Sequence, residues 1–167
     1  MSSDTFNILF VCSGNSCRTP MAEGLMKSKI SVRFKSAVQV KSAGILGING
    51  NPATDFAIMT AGKLGANISQ HRSQGITEKL VKESDLIFAM ASEHIDFLHK
   101  HYPEIRENVF LLRSFGRDQE EKIDEDIADP IGGPLEHYRQ CGELINSELQ
   151  RILPRLNQLI KEKLNIE

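Results

Sequence analysis

Short apolar runs alternate along the chain with longer stretches in which apolar residues return every three or four positions. Phe6, Ile8, Leu9, Phe10 and Val11 form the first run, apolar, β-branched and aromatic, and it stops at once in a small polar loop. From Arg18 to about Ile30 the pattern reads as a helix, with Pro20 tolerated in its first turn and Met21, Leu25 and Met26 facing a sheet. Val38 to Ser42 alternates apolar and polar residues, a short strand that Ala43-Gly44 lets stop. A Gly- and Asn-rich loop, Gly47 to Asn51, and then Pro52 precede a helix predicted over about Ala53 to Leu64, with Gly65 as its cap. After an irregular polar segment, Ser69 to Gln74, a short helix starts near Thr77. Asp85-Leu-Ile-Phe-Ala-Met90 is nearly continuous in apolar residues, which suits a strand buried on both faces. Ser92 is expected to cap the helix that follows and Pro103 to end that region, with Val109 to Leu112 as the last strand. Gln119 to Asp126 is a charge run expected to be a solvated loop, and the Pro- and Gly-rich stretch from Ile127 to Pro134 is a turn that can project a carboxylate. From Pro134 or Leu135 a long helix runs to about Leu164, with Pro154 inside it expected to kink or split it.

Strands alternating with helices imply βαβ units. The predicted fold class is therefore α/β, a three-layer doubly wound sheet of about four parallel strands with helices on both faces. In such a sheet, active residues gather at the carboxyl ends of the strands. At 167 residues the chain is expected to form one domain, residues 1–167. A net charge of -2 gives no basic footprint, which argues against a nucleic-acid partner. No apolar run approaches a membrane span, and Met1-Ser-Ser-Asp4 lacks a basic and then apolar signal region, so a soluble cytoplasmic protein with no membrane partner is expected. Three cysteines at spacings unlike a disulfide framework agree with a reducing compartment.

The chemistry concentrates where the first strand ends. Cys12 and Arg18 are separated by Ser13, Gly14, Asn15, Ser16 and Cys17, mostly small, so the loop's backbone N–H groups can turn inward just where a helix begins. That is an anion site for a phosphate-sized group. The helix N-terminus and a nearby guanidinium both favour thiolate, which makes Cys12 a nucleophile near neutral pH. Arg18 offers a planar fork of donors that matches two phosphoryl oxygens. The simplest chemistry is attack on phosphorus. The alternative, a buried Cys at a strand end and an Arg on a helix, leaves the agreement of strand, loop and helix start unexplained. His94, His99 and His101 invite a metal reading, yet no Cys or carboxylate completes a ligand set, so they are expected at the surface and no metal or other cofactor is required. Cys141, on the long helix, is expected in the core.

Cys12-Ser-Gly-Asn-Ser-Cys-Arg-Thr-Pro20, continued by Met21-Ala22-Glu23, resembles the signature of the low-molecular-weight protein tyrosine phosphatases. Ser42-Ala43-Gly44, Asn51-Pro52, His71 ahead of Ile76-Thr77, Ser84-Asp85-Leu86-Ile87 and Asp129-Pro130 fall in that family's order, so the resemblance spans nearly the whole chain. It implies a phosphorylated protein as substrate, inorganic phosphate or a similar anion in the loop, and catalysis by Cys12, Arg18 and Asp129. Asp129 would be the acid that protonates the leaving group and then the base that activates water. On local sequence alone, Asp124, Glu125 and Asp126 compete with it, and only the proline-fixed turn sets Asp129 apart. By the same resemblance Thr19 hydrogen-bonds the Cys12 thiolate. Asn15, Ser42 and His71 hold the loop's frame, and Cys17 forms a reversible disulfide with Cys12 that shields the nucleophile.

Two departures bear on substrate. Tyrosine phosphatases of the family usually follow Asp-Pro with an aromatic pair, where this chain has Ile131 and Gly132 and then Gly133. Ser16 is polar where those enzymes carry an apolar residue, and the bacterial protein-arginine phosphatases of the family carry a threonine there and a similar Asp-Pro-x-Gly-Gly run. Phosphotyrosine is the family default, and phosphoarginine is the alternative. Thioredoxin-linked arsenate reductases share the loop but need two further cysteines in mid-chain, and between Cys17 and Cys141 there is none. A noncatalytic phosphate-binding module is opposed by the joint presence of Cys12, Arg18 and Asp129.

Overall fold

The computed structural model describes residues 5–118 and 120–167. Met1 to Asp4 and Gln119, the first residue of the charge run, lie outside the described residues. The elements are β1 (Phe6–Cys12), α1 (Arg18–Lys29), a 3-10 turn (Val32–Phe34), β2 (Val38–Gly44), α2 (Asp55–Lys63), α3 (Glu78–Glu83), β3 (Leu86–Ala89), α4 (Ser92–His101), a second 3-10 turn (Pro103–Asn108), β4 (Val109–Leu111) and α5 (Leu135–Leu164). The four strands form one parallel sheet in the order β2-β1-β3-β4.

Strand β1 shows why helices cover both faces. Phe6, Ile8, Phe10 and Cys12 point into the larger core, which Met21, Leu25 and Met26 of α1 and Ile145, Leu149, Ile152 and Leu156 of α5 complete. Leu9 and Val11 point to the other face, against Val81 of α3, Leu98 of α4 and Ile105. The period-two alternation of a strand thus serves two apolar layers at once, which is why the run reads as almost continuously apolar. The expected three-layer architecture is present. Among the described residues no helix is long and apolar enough to cross a membrane.

The sheet's order also fixes where the site lies. β1 pairs with β2 on one side and β3 on the other, so the connections leaving these strands diverge at the carboxyl end of β1. That is the switch point at which a doubly wound sheet opens a crevice. Gly44, at the matching end of β2, lets the two segments touch: a Cβ there would lie 2.4 Å from Ser13 O and 3.0 Å from Asn15 N.

Three expectations need correction. Pro154 does not split the long helix, which continues from Leu135 to Leu164 because Ile152, Leu156 and Ile160 stay buried on either side of it. Ser92 does not cap α4. Ala91 holds the cap position, and Ser92 N–H and Oγ–H instead donate to the Asp126 carboxylate at 2.8 and 3.3 Å. His94 is not at the surface but fully buried, and His99 is half-buried; His101 alone of the three is exposed.

Candidate active site

The chain leaves β1 at Cys12, turns through Ser13 to Cys17 and enters α1 at Arg18. Asn15 takes the left-handed conformation in this loop (φ 56°), which among side-chain-bearing residues asparagine adopts most readily. Its side chain then faces the framework rather than the pocket. Asn15 Nδ2 donates to Thr19 Oγ1 at 2.8 Å and to Ser42 Oγ at 2.9 Å, and its Oδ1 accepts from Gln74 N–H at 2.9 Å. His71 Nε2–H donates to the Asn15 carbonyl at 2.8 Å. Ser42 Oγ–H in turn donates to Glu23 Oε1 at 2.8 Å. A carboxylate therefore ends a chain of donors that reaches back through Ser42 and Asn15 to the loop. Glu23 and Gln74 belong to this frame, and nothing in their spacing from the loop signals it.

Because Thr19 Oγ1 accepts from Asn15, its hydroxyl proton is free to point at Cys12 Sγ, 2.9 Å away. Burial pushes the Cys12 thiol up from its ordinary range, while the Thr19 hydroxyl, Arg18 and the N–H groups of Thr19 and Asn15 pull it down. The expectation of a thiolate near neutral pH thus meets an opposing effect: the loop that supplies the donors also strips water from the sulfur, and the net direction is upward.

Arg18 is buried, with Nη1 donating to the Ile127 carbonyl at 2.8 Å. Its Nη2 lies 3.4 Å from Asp129 Oδ2 and 3.3 Å from Ser13 Oγ. Arg18 thereby ties the Cys12 loop to the segment that carries Asp129. That segment is fixed further by Ile127 N–H to the Met90 carbonyl at 2.8 Å and by Asp126 at the start of α4. Asp129 Oδ1 accepts from Ile131 N–H at 3.1 Å, closing a side-chain turn that Pro130 stiffens. Asp124 and Asp126 are engaged elsewhere: the Asp124 carboxylate accepts from Asp126 N–H at 3.1 Å, and the Asp126 carboxylate accepts from Ser92.

Cys12, Ser13, Gly14, Ser16, Cys17, Arg18 and Asp129 line one pocket of about 250 Å³, together with Leu46, Ile48, Asn51 and Ile131. Of the residues assigned to the site, Asn15, Thr19, Ser42 and His71 stand behind that lining. Cys17 Sγ is buried against Tyr138 Oη at 3.4 Å and Thr54 Oγ1 at 3.5 Å. The Gly47 to Asn51 loop does line the site, held there by hydrogen bonds to Ser73 and Gly75. Cys12, Cys17 and Cys141 are all free thiols. Cys141 is buried as expected, and burial holds its thiol at about 12.

The geometry has clear counterparts. The family described as low molecular weight phosphotyrosine protein phosphatase matches residues 7–164. The YwlE arginine phosphatase from Geobacillus stearothermophilus superposes with a TM-score of 0.81 at 34% identity, over 94% of this chain and 96% of that one. A low molecular weight protein tyrosine phosphatase from T. tengcongensis gives 0.80 at 35% identity, over 90% and 99%. The Etp low molecular weight protein-tyrosine-phosphatase of Escherichia coli K12 is 37% identical over 159 residues, 95% of this chain and 100% of that protein.

Proposed function

The chain belongs to the low molecular weight phosphotyrosine protein phosphatase family, and from that premise we propose that this cysteine-based phosphatase hydrolyses phosphotyrosine in protein substrates through a phosphocysteine intermediate. Cys12 Sγ attacks phosphorus, the phosphorus–oxygen bond to the tyrosine breaks, and Asp129 gives its proton to the departing phenolate. The Asp129 carboxylate then takes a proton from the water that attacks phosphocysteine. Inorganic phosphate leaves, and the thiolate and the acid are both restored. Arg18 and the loop N–H groups carry the charge on the transferred phosphoryl oxygens. A cytoplasmic setting goes with this reading, in keeping with three unpaired cysteines.

The observation that supports an aryl substrate is the mouth of the pocket. Leu46, Ile48 and Ile131 are 64%, 40% and 57% exposed and line the same pocket as Cys12 and Arg18. Large aliphatic side chains left in water around a charged floor mark a place where an apolar group docks. Their aliphatic surface offers a phenyl ring an apolar contact in place of the aromatic pair that the family's tyrosine phosphatases usually carry. Phosphoarginine is the second reading, favoured by the Ser16 hydroxyl in the pocket lining and by the similarity to a protein named as an arginine phosphatase.

Turnover of phosphotyrosine and phosphoarginine peptides, compared at matched concentration with Cys12→Ser as blank, separates them. We expect phosphotyrosine to be preferred by about tenfold or more, the worth of burying one ring face against aliphatic surface. A preference of that size for phosphoarginine would overturn the first reading and make Ser16 the specificity determinant. Undiminished turnover by Cys12→Ser would overturn both.

A further inference from the structure

Ser13, the residue after the nucleophile, receives two hydrogen bonds at one oxygen. The direction of the first is set by the far side of the His94 ring. His94 Nδ1 accepts from Ala91 N–H at 3.1 Å, so the ring proton sits on Nε2, which donates to Ser13 Oγ at 3.0 Å. Arg18 Nη2 donates to the same oxygen at 3.3 Å. A hydroxyl oxygen has two lone pairs, and with both engaged its own proton can only be given away. These two donors are the side-chain partners of Ser13 among the described residues.

The ring that imposes this is well suited to it. His94 is fully buried, and burial and Arg18 hold it near a pKa of about 4 against the opposing pull of Asp126. Glu93 Oε1, 3.5 Å from Nε2, is the other carboxylate facing the ring. Near neutral pH the imidazole is therefore uncharged, with a fixed donor on one side and a fixed acceptor on the other. None of this follows from the expectation of a surface histidine.

We propose that the Ser13 hydroxyl is a further phosphoryl-binding group of this site, beyond the loop N–H groups, its O–H aimed into the pocket by Arg18 and the buried His94 so that it donates to an oxygen of the transferred group. His94 acts through Ser13 and is a positioning residue. The inference rests on the phosphatase reading, in which the pocket lined by Ser13, Cys12, Arg18 and Asp129 holds the phosphoryl group. A hydrogen bond to a charged acceptor is worth about 10- to 100-fold in binding or rate.

The test compares Ser13→Ala, His94→Asn and His94→Gln, singly and as Ser13→Ala/His94→Asn, in turnover of an aryl phosphate. It also compares inorganic phosphate affinity by calorimetry in the Cys12→Ser protein with and without Ser13→Ala. His94→Asn keeps an acceptor for Ala91 N–H and loses the donor to Ser13, whereas His94→Gln does the reverse. We expect Ser13→Ala to lower kcat/KM by about 10- to 100-fold and to weaken phosphate binding by about tenfold or more. We expect His94→Asn to be as harmful as Ser13→Ala, to add nothing to it in the double variant, and to be more harmful than His94→Gln. Ser13→Ala within twofold of its parent in both assays overturns the proposal, and so does a His94→Asn effect that persists undiminished in the Ser13→Ala background. If the His94 variants do not fold, Ser13→Ala alone decides. Should the wild-type protein turn over neither an aryl phosphate nor phosphoarginine, the phosphatase reading fails, and phosphate affinity still decides the role of Ser13.

Discussion

At the scale of single residues, the ionisation of Cys12 turns on Thr19. Burial raises the thiol's pKa, and the largest effect against it is the Thr19 hydroxyl, which can donate to sulfur because Asn15 occupies its oxygen. Thr19→Val keeps the shape and removes the donor. The thiolate loses stabilisation, so the pKa of Cys12 rises, and the inflection in its iodoacetamide alkylation rate against pH moves to higher pH. Phosphatase turnover at pH 7 should fall by about tenfold or more, the worth of a hydrogen bond to a charged group. An inflection that stays in place would show that another donor holds the sulfur. Cys12 and Arg18 were legible in the sequence because strand end, loop and helix start are contiguous. The Ser13 and His94 pair was not, since its members lie 81 positions apart and meet only when α4 docks beside the loop. The Asp129 segment lies between these cases: a proline-fixed turn marks it, but its anchoring to Arg18 through the Ile127 carbonyl spans 109 positions.

At the scale of elements, the apolar periodicities placed the four strands and the helices whose bounds they gave to within about two residues, though not the two 3-10 turns, because each run is bounded by a residue with its own reason to stop or start one. Helix α2 begins at Asp55 rather than near Ala53 because Thr54 caps it, accepting from Ala57 N–H. The exception is Pro154, where a local rule yields to packing. Pro154 and Gln150, whose carbonyl loses its intrahelical partner, both lie on the exposed side of α5, so water can take the partner's place. The buried stripe of Leu149, Ile152, Leu156 and Ile160 runs on uninterrupted. Pro154→Ala should therefore restore a helical hydrogen bond at an exposed position. After allowance for the greater freedom of the unfolded chain, the gain is about 1–2 kcal/mol. Urea unfolding should show a higher midpoint with an unchanged slope. A lower midpoint would mean that α5 packs better with proline at this position than with the hydrogen bond restored.

For the molecule as a whole, α4 is the element that joins stability to the site. Its buried His94 accepts from Ala91 N–H at the helix start and donates to Ser13 in the loop, so protonating the ring would cost the first contact and place a charge in the core beside Arg18. The folded pKa of about 4 lies below the ordinary 6.5 of an unfolded chain. Between these values the unfolded state binds the proton and the folded state does not. The stabilising contribution is therefore complete above about pH 6.5 and is lost as pH falls towards 4. The shift corresponds to about 3 kcal/mol, a large part of the net stability of an ordinary domain. Chemical unfolding at pH 7 and at pH 4 should show the wild-type protein losing about 3 kcal/mol more than His94→Gln, which has nothing to protonate at that position. Equal losses in the two proteins would place the acid sensitivity elsewhere and would mean that the His94 site relaxes to admit water when the ring is charged.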